Sequence, residues 1–183
     1  SYASGNLFEG QFPCASLAQM TNMSILNIRN LLLNGTLDGC FGASSNITEV
    51  SMENNMLSGK LPQPLWRSLV TFIAYNNSFT GPLPEVSAGE DLELRYYSVA
   101  RNYITGTLPA GLFILPDINY LLVAANFLNG TIDLEPTYHS RLAQIFLHGE
   151  VFEVDHGQAV HWLQLAAESG DLEARYNLGL QHY

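Results

Sequence analysis

Charge is scarce in this sequence. Only 13% of the residues are charged, Lys60 is the single lysine, and seventeen acids stand against seven Lys and Arg for a net charge of -10. That balance disfavours nucleic acid and anionic membrane surfaces, since a polyanion is repelled rather than neutralised. No apolar run approaches the roughly 20 residues of a membrane-spanning helix, so direct membrane insertion of this segment is not expected. Nucleophile-elbow, phosphate-loop and zinc-peptidase motifs are missing, and the carboxylate pair Glu90-Asp91 reads as a solvated loop, so neither an enzyme nor a cofactor is implied. All the histidines, His139, His148, His156, His161 and His182, lie late and scattered, at spacings that assemble no metal site. The first residue is Ser rather than Met, as in a processed product or an internal fragment, and nothing in the sequence sets an oligomeric state.

What is present is repetition. The phrase Asn55-Met56-Leu57-Ser58-Gly59-Lys60-Leu61-Pro62 returns from Asn77 to Pro84, from Asn102 to Pro109 and, with Asp for Pro, from Asn126 to Asp133. Weaker copies run from Asn6 to Pro13 and from Leu31 to Asp38. The glycines Gly10, Gly35, Gly59, Gly81, Gly106 and Gly130 are spaced 25, 24, 22, 25 and 24 residues apart, the period of a solenoid rather than of a compact globule.

A second pattern precedes each phrase: Ile47, Val50, Met52 and Asn55, then Leu69, Phe72, Ala74 and Asn77, then Leu94, Tyr97, Val99 and Asn102, then Ile118, Leu121, Val123 and Asn126. The coil before them offers Met23, Leu26, Ile28 and Leu31. Alternation around the middle apolar positions predicts one short strand per coil, stacked into a parallel sheet. The apolar side chains leave water only by packing on the same positions of the next coil. Asn turns the chain off the strand and its amide satisfies backbone groups inside the bend, predicting a hydrogen-bond ladder; Gly allows positive φ and Pro fixes the start of the far side.

These residues resemble the plant-type leucine-rich repeat, L-x-x-L-x-L-x-x-N-x-L-x-G-x-I/L-P, over about residues 1–135. Leu31 departs from the ladder Asn, Asp38 and Asp133 from the Pro, and one coil is shortened to 22 residues. The resemblance implies an α/β solenoid, a right-handed superhelix with a strand-lined concave face and short helical or extended segments behind. It also implies recognition of proteins, peptides or small ligands, as in receptor ectodomains and secreted inhibitors.

From about Gly149 the pattern turns helical. Asp155 and Gln158 suit a capping box, Ala159, Val160, Trp162, Leu163, Ala166 and Ala167 mark an apolar helical face, Gly170 ends it, and Asp171 caps a second helix. The run from Gly149 to Gly179 resembles the Sel-one-like repeat, a relative of the tetratricopeptide repeat, with Val151 where that family usually has Gly; the resemblance implies a scaffold or adaptor. The expected domains are a solenoid of six to seven coils over 1–148 and a truncated αα-hairpin over 149–183. Leu142, Ile145 and Leu147 favour a seventh strand over 138–149, against a helical reading of Leu142, Ala143 and Phe146.

Residues between the apolar strand positions form the concave face. Arg29, Glu53, Ile73, Tyr75, Tyr96, Ser98, Tyr120 and Leu122 are the expected contacts for a protein or peptide ligand, the tyrosines and Ile73 and Leu122 being more apolar than solvent requires. The alternative is a face covered by the chain's own termini. Sequons at Asn22, Asn34, Asn46, Asn76 and Asn129 point to a glycosylated chain of the secretory pathway or cell exterior, although Asn34 and Asn129 also arise from the repeat itself, and the cytoplasm is the alternative. Cys14 and Cys40 fall on neighbouring coils within reach of a disulfide, or are two buried thiols. Beside a recognition or scaffold module, the sequence admits a secreted enzyme inhibitor, a receptor-ectodomain fragment, and a structural or ice- or wall-binding surface; the broken column Thr36, Lys60, Pro82, Thr107 and Thr131 opposes the last.

Overall fold

The computed structural model describes residues 9–17, 19–20, 22–41, 45–87, 91–129, 139, 156–172 and 174–175. The chain divides into two compact units, Ser1–Thr131 and Ile132–Tyr183.

In the first unit the coils contribute strands to two parallel sheets, one of five strands and one of six among the described residues. The expected sheet forms from β2 (Ile25–Asn27), β4 (Glu49–Ser51), β6 (Thr71–Ile73), β8 (Tyr96–Ser98) and β10 (Tyr120–Leu122), paired in chain order. Leu26, Val50, Phe72, Tyr97 and Leu121 point inward from its middle and are buried, as the alternation predicts. The second sheet corrects the expectation of one strand per coil. It joins β1 (Glu9–Gln11), β3 (Leu32–Thr36), β5 (Met56–Lys60), β7 (Ser78–Gly81), β9 (Tyr103–Gly106) and β11 (Phe127–Leu128). The repeated phrase is therefore itself a strand. Leu57, Phe79 and Ile104 bury its inner face, while glycine takes positive φ inside it, as at Gly59 (φ 81).

The two sheets stack differently. On the first, equivalent positions face each other, as in Val50↔Phe72 and Phe72↔Tyr97. On the second, Gly35 lies opposite Leu57, Gly59 opposite Phe79, Gly81 opposite Ile104 and Gly106 opposite Leu128, each two residues short of the next marker glycine. A two-residue offset is about 6.6 Å of strand per coil, so one side of the prism slides while the other does not.

The ladder runs through the interior bends. Oδ1 of Asn55, Asn77, Asn102 and Asn126 accepts from the amides of Leu33, Leu57, Phe79 and Ile104 on the preceding coil, at 3.0–3.2 Å. Each side-chain amide donates to carbonyls of its own bend and of the coil before; Asn102 Nδ2 reaches Ala74, Val99 and Ala100. The residue before each ladder position is left-handed: Asn30, Asn54, Asn76, Arg101 and Ala125 have φ of 54–57°. Asn tolerates that conformation, and Asn30, Asn54 and Asn76 chain together through Nδ2–Oδ1 bonds of 2.7 and 2.8 Å, a second ladder outside the first.

Shortening one coil to 22 residues leaves both sheets paired, because the loss falls between Leu61 and Leu69 on the convex side. There Trp66 is buried, stacks on Phe41 with centroids 4.7 Å apart and donates to the Ile47 carbonyl at 2.6 Å. Short helices α1 (Cys14–Leu17) and α2 (Ala110–Ile114) also lie on the connections between sheets. A Cβ on Gly111 would stand 1.7 Å from the Val86 carbonyl oxygen, so only glycine lets α2 approach the coil before it.

The second unit holds α3 (His156–Glu168). Gly170, at φ 100, ends it in a Schellman turn: the Gly170 amide donates to Ala167 and the Asp171 amide to Ala166, both at 3.1 Å. Asp171 Oδ1 then accepts from the Ala174 amide at 3.0 Å, capping a second helical segment as expected. Leu163, Ala166 and Ala174 form its buried cluster. Asp155 of the expected capping box, the expected boundary at 148 and Leu142, Ile145 and Leu147 of the possible seventh strand over 138–149 lie outside the described residues; of that stretch only His139 is described, and it is helical.

Candidate functional site

Outward positions of the first sheet make one continuous face, because side chains flanking each inward residue point the other way. At its early end the Arg29 guanidinium lies 3.7 Å from the Glu53 carboxylate; the Arg29 side chain is 50% exposed and that of Glu53 only 7%. The second carboxylate oxygen of Glu53 and Oδ1 of Asn27 are buried without a hydrogen-bond partner.

Toward the later coils the face becomes aromatic. The Tyr75 hydroxyl accepts from Asn54 Nδ2 at 3.4 Å, and the Tyr96 and Tyr120 rings stand 5.1 Å apart. Desolvation raises the Tyr96 hydroxyl above the usual phenol range, and Tyr120, Tyr75 and Glu53 push it the same way. These side chains therefore share one electrostatic environment. Ile73 and Leu122 are half-buried beside them and Tyr120 is exposed. Ser98 is not brought to the surface: it is 1% exposed and offers a partner almost nothing.

The remaining expected residues lie elsewhere on the unit. Asn22, Asn34, Asn46, Asn76 and Asn129 are all exposed. Cys14, at the start of α1, is bonded to Cys40 on the next coil, with Cα atoms 4.7 Å apart. Among the described residues no group of His, Cys, Asp and Glu is placed to hold a metal ion. An apolar cavity of about 260 Å³, lined by Phe12, Leu17, Met20, Leu26 and Leu31 among others, has no charged side chain among its described lining residues.

A second apolar surface escapes the sequence reading. Leu32, Met56, Tyr103 and Phe127 are 44–62% exposed on the outer side of the second sheet, and the Tyr103 and Phe127 rings stack at 6.1 Å. All follow the ladder position directly, and alternation against the buried Leu57 and Ile104 is the signal that turns them outward.

Sequence comparison finds a receptor-like protein of Arabidopsis thaliana, Receptor-like protein 35, 30% identical over 132 residues, 72% of this chain and 14% of that protein. Among solved structures, the Arabidopsis receptor kinase HAESA in complex with the peptide hormone IDA and the co-receptor SERK1 matches with a TM-score of 0.65 and 28% identity, over 73% of this chain and 22% of that one. The leucine-rich-repeat ectodomain of the Arabidopsis receptor kinase GASSHO1/SCHENGEN3, in complex with CASPARIAN STRIP INTEGRITY FACTOR 2, matches with a TM-score of 0.65 and 25% identity, over 80% and 17%. The first unit is a plant-type leucine-rich-repeat solenoid. This repeat solenoid spans about a seventh of the curated relative and about a fifth of the solved chains it matches. No family model matches the chain, so the resemblance of residues 149–183 to the Sel-one-like repeat rests on those residues alone.

Proposed function

We propose that the repeat solenoid is a non-enzymatic recognition module that binds a protein or peptide on its concave face. The observation that carries this reading is the grouping of Tyr75, Tyr96 and Tyr120 with Ile73 and Leu122 on a sheet whose backbone the Asn ladder holds rigid. A preorganised sheet loses little conformational entropy on association, and tyrosine is an effective interface anchor. Two of the solved structures that the solenoid matches, a receptor kinase captured with a peptide hormone and a receptor-kinase ectodomain captured with CASPARIAN STRIP INTEGRITY FACTOR 2, support the same use of this fold.

An extracellular or secretory setting fits this function. The exposed sequons leave room for glycans, the bond between Cys14 and Cys40 suits an oxidising compartment, and the matched relatives are receptors. No described helix is long and apolar enough to cross a membrane. The helical segment after residue 149 is read as an adaptor of Sel-one-like type. Partner capture compares the chain with a Tyr75→Ala/Tyr96→Ala variant. Affinity falls by a hundredfold or so if the face is the site, since two anchors of about 1–2 kcal/mol each are lost; unchanged affinity refutes it.

A further inference from the structure

Glu53 is the one acidic side chain of the described concave face that the fold buries. One of its oxygens faces Arg29 across 3.7 Å, beyond ordinary hydrogen-bond length, and the other has no partner at all. A buried carboxylate left in that state is under-satisfied, and Arg29, half in water, does not correct it. Among the described residues no other cation is paired with it: Tyr75 adjoins on the next coil, with Tyr96 within its electrostatic reach, and the chain as a whole carries -10. Tyrosine ring faces attract cations, and a guanidinium or ammonium group satisfies a carboxylate more strongly than a neutral donor does.

We propose that the partner is a cationic peptide, one of whose arginine or lysine side chains displaces Arg29 at Glu53 while its stem lies against Tyr75 and Tyr96. The inference rests on the concave-face reading and adds the chemistry of the ligand. It assigns Arg29 an unexpected part: a loosely held internal competitor for the cation, rather than a contact that strengthens binding.

A library of random displayed peptides, selected on the full chain, is the probe. Enriched peptides carry Arg or Lys beside an aromatic or apolar residue, and replacing that basic residue by Gln in the peptide weakens binding at least tenfold without altering the protein. Glu53→Gln weakens it to a similar degree, the loss expected when a desolvated charge pair is broken. Arg29→Gln, which removes the internal competitor at a half-exposed side chain, strengthens it several-fold. Peptides that lose affinity with Tyr75→Ala/Tyr96→Ala but show no basic residue and no response to Glu53→Gln overturn this inference and leave the concave face intact. Peptides indifferent to the tyrosines overturn both, and a selection that enriches nothing overturns the peptide assignment.

Discussion

At Tyr97 the core encloses a hydroxyl that has no hydrogen-bond partner, on a fully buried ring stacked against Phe72 at 5.4 Å. The ring fills the prism; the oxygen costs desolvation and returns nothing. Tyr97→Phe keeps the packing and removes that atom, so urea unfolding gives a variant about 1 kcal/mol more stable than the parent. Burial also raises the Tyr97 phenol far above the usual phenol range. Folding therefore favours the protonated form. The sign follows: this contribution is whole below about pH 10 and is lost as pH rises beyond it, because the unfolded chain ionises first. The Phe variant accordingly loses less stability between pH 9 and 11 by about the same measurement.

Among the elements, the interior Asn ladder joins one coil to the next. Asn102 is 5% exposed, accepts from Phe79 and donates to carbonyls of two coils. Asn102→Leu places there the residue that Leu31 already supplies at the equivalent position, and leaves several buried backbone groups unpaired. The expected loss is about 3 kcal/mol in denaturant unfolding; a loss under about 1 kcal/mol means that water replaces the side chain. The ladder and the first sheet were legible because the same residue type recurs at fixed spacing: Val50, Phe72, Tyr97 and Leu121 mark the strands, and Asn55, Asn77, Asn102 and Asn126 the bends. The second sheet was not. Its inner face is a single apolar residue two positions before a glycine, which reads as a turn, and neighbour pairing alone makes it a strand. The left-handed bends were hidden for a related reason. Asn30, Asn54 and Asn76 look like members of the pattern, but Arg101 and Ala125 take the same φ because the coil closes only that way. Of the candidate site, the outward tyrosines followed from alternation, whereas the burial of Glu53 and Ser98 depends on which neighbouring side chains cover them.

For the solenoid unit as a whole, two faces compete as partner sites. The concave face combines Tyr75, Tyr96 and Tyr120 with a buried carboxylate; the outer side of the second sheet offers Tyr103 stacked on Phe127, and the exposed charged residues of that sheet, Glu9 and Lys60, lie on earlier strands. Apolar area alone favours neither, since affinity follows anchors and polar complementarity more than extent. Recognition is proposed on the first face. The direct measurement is photo-cross-linking to a selected peptide from benzoylphenylalanine introduced at position 73, on the concave face, or at position 103, on the second sheet. A cross-link from position 73 and none from position 103 is the predicted result; a cross-link from position 103 alone contradicts the account.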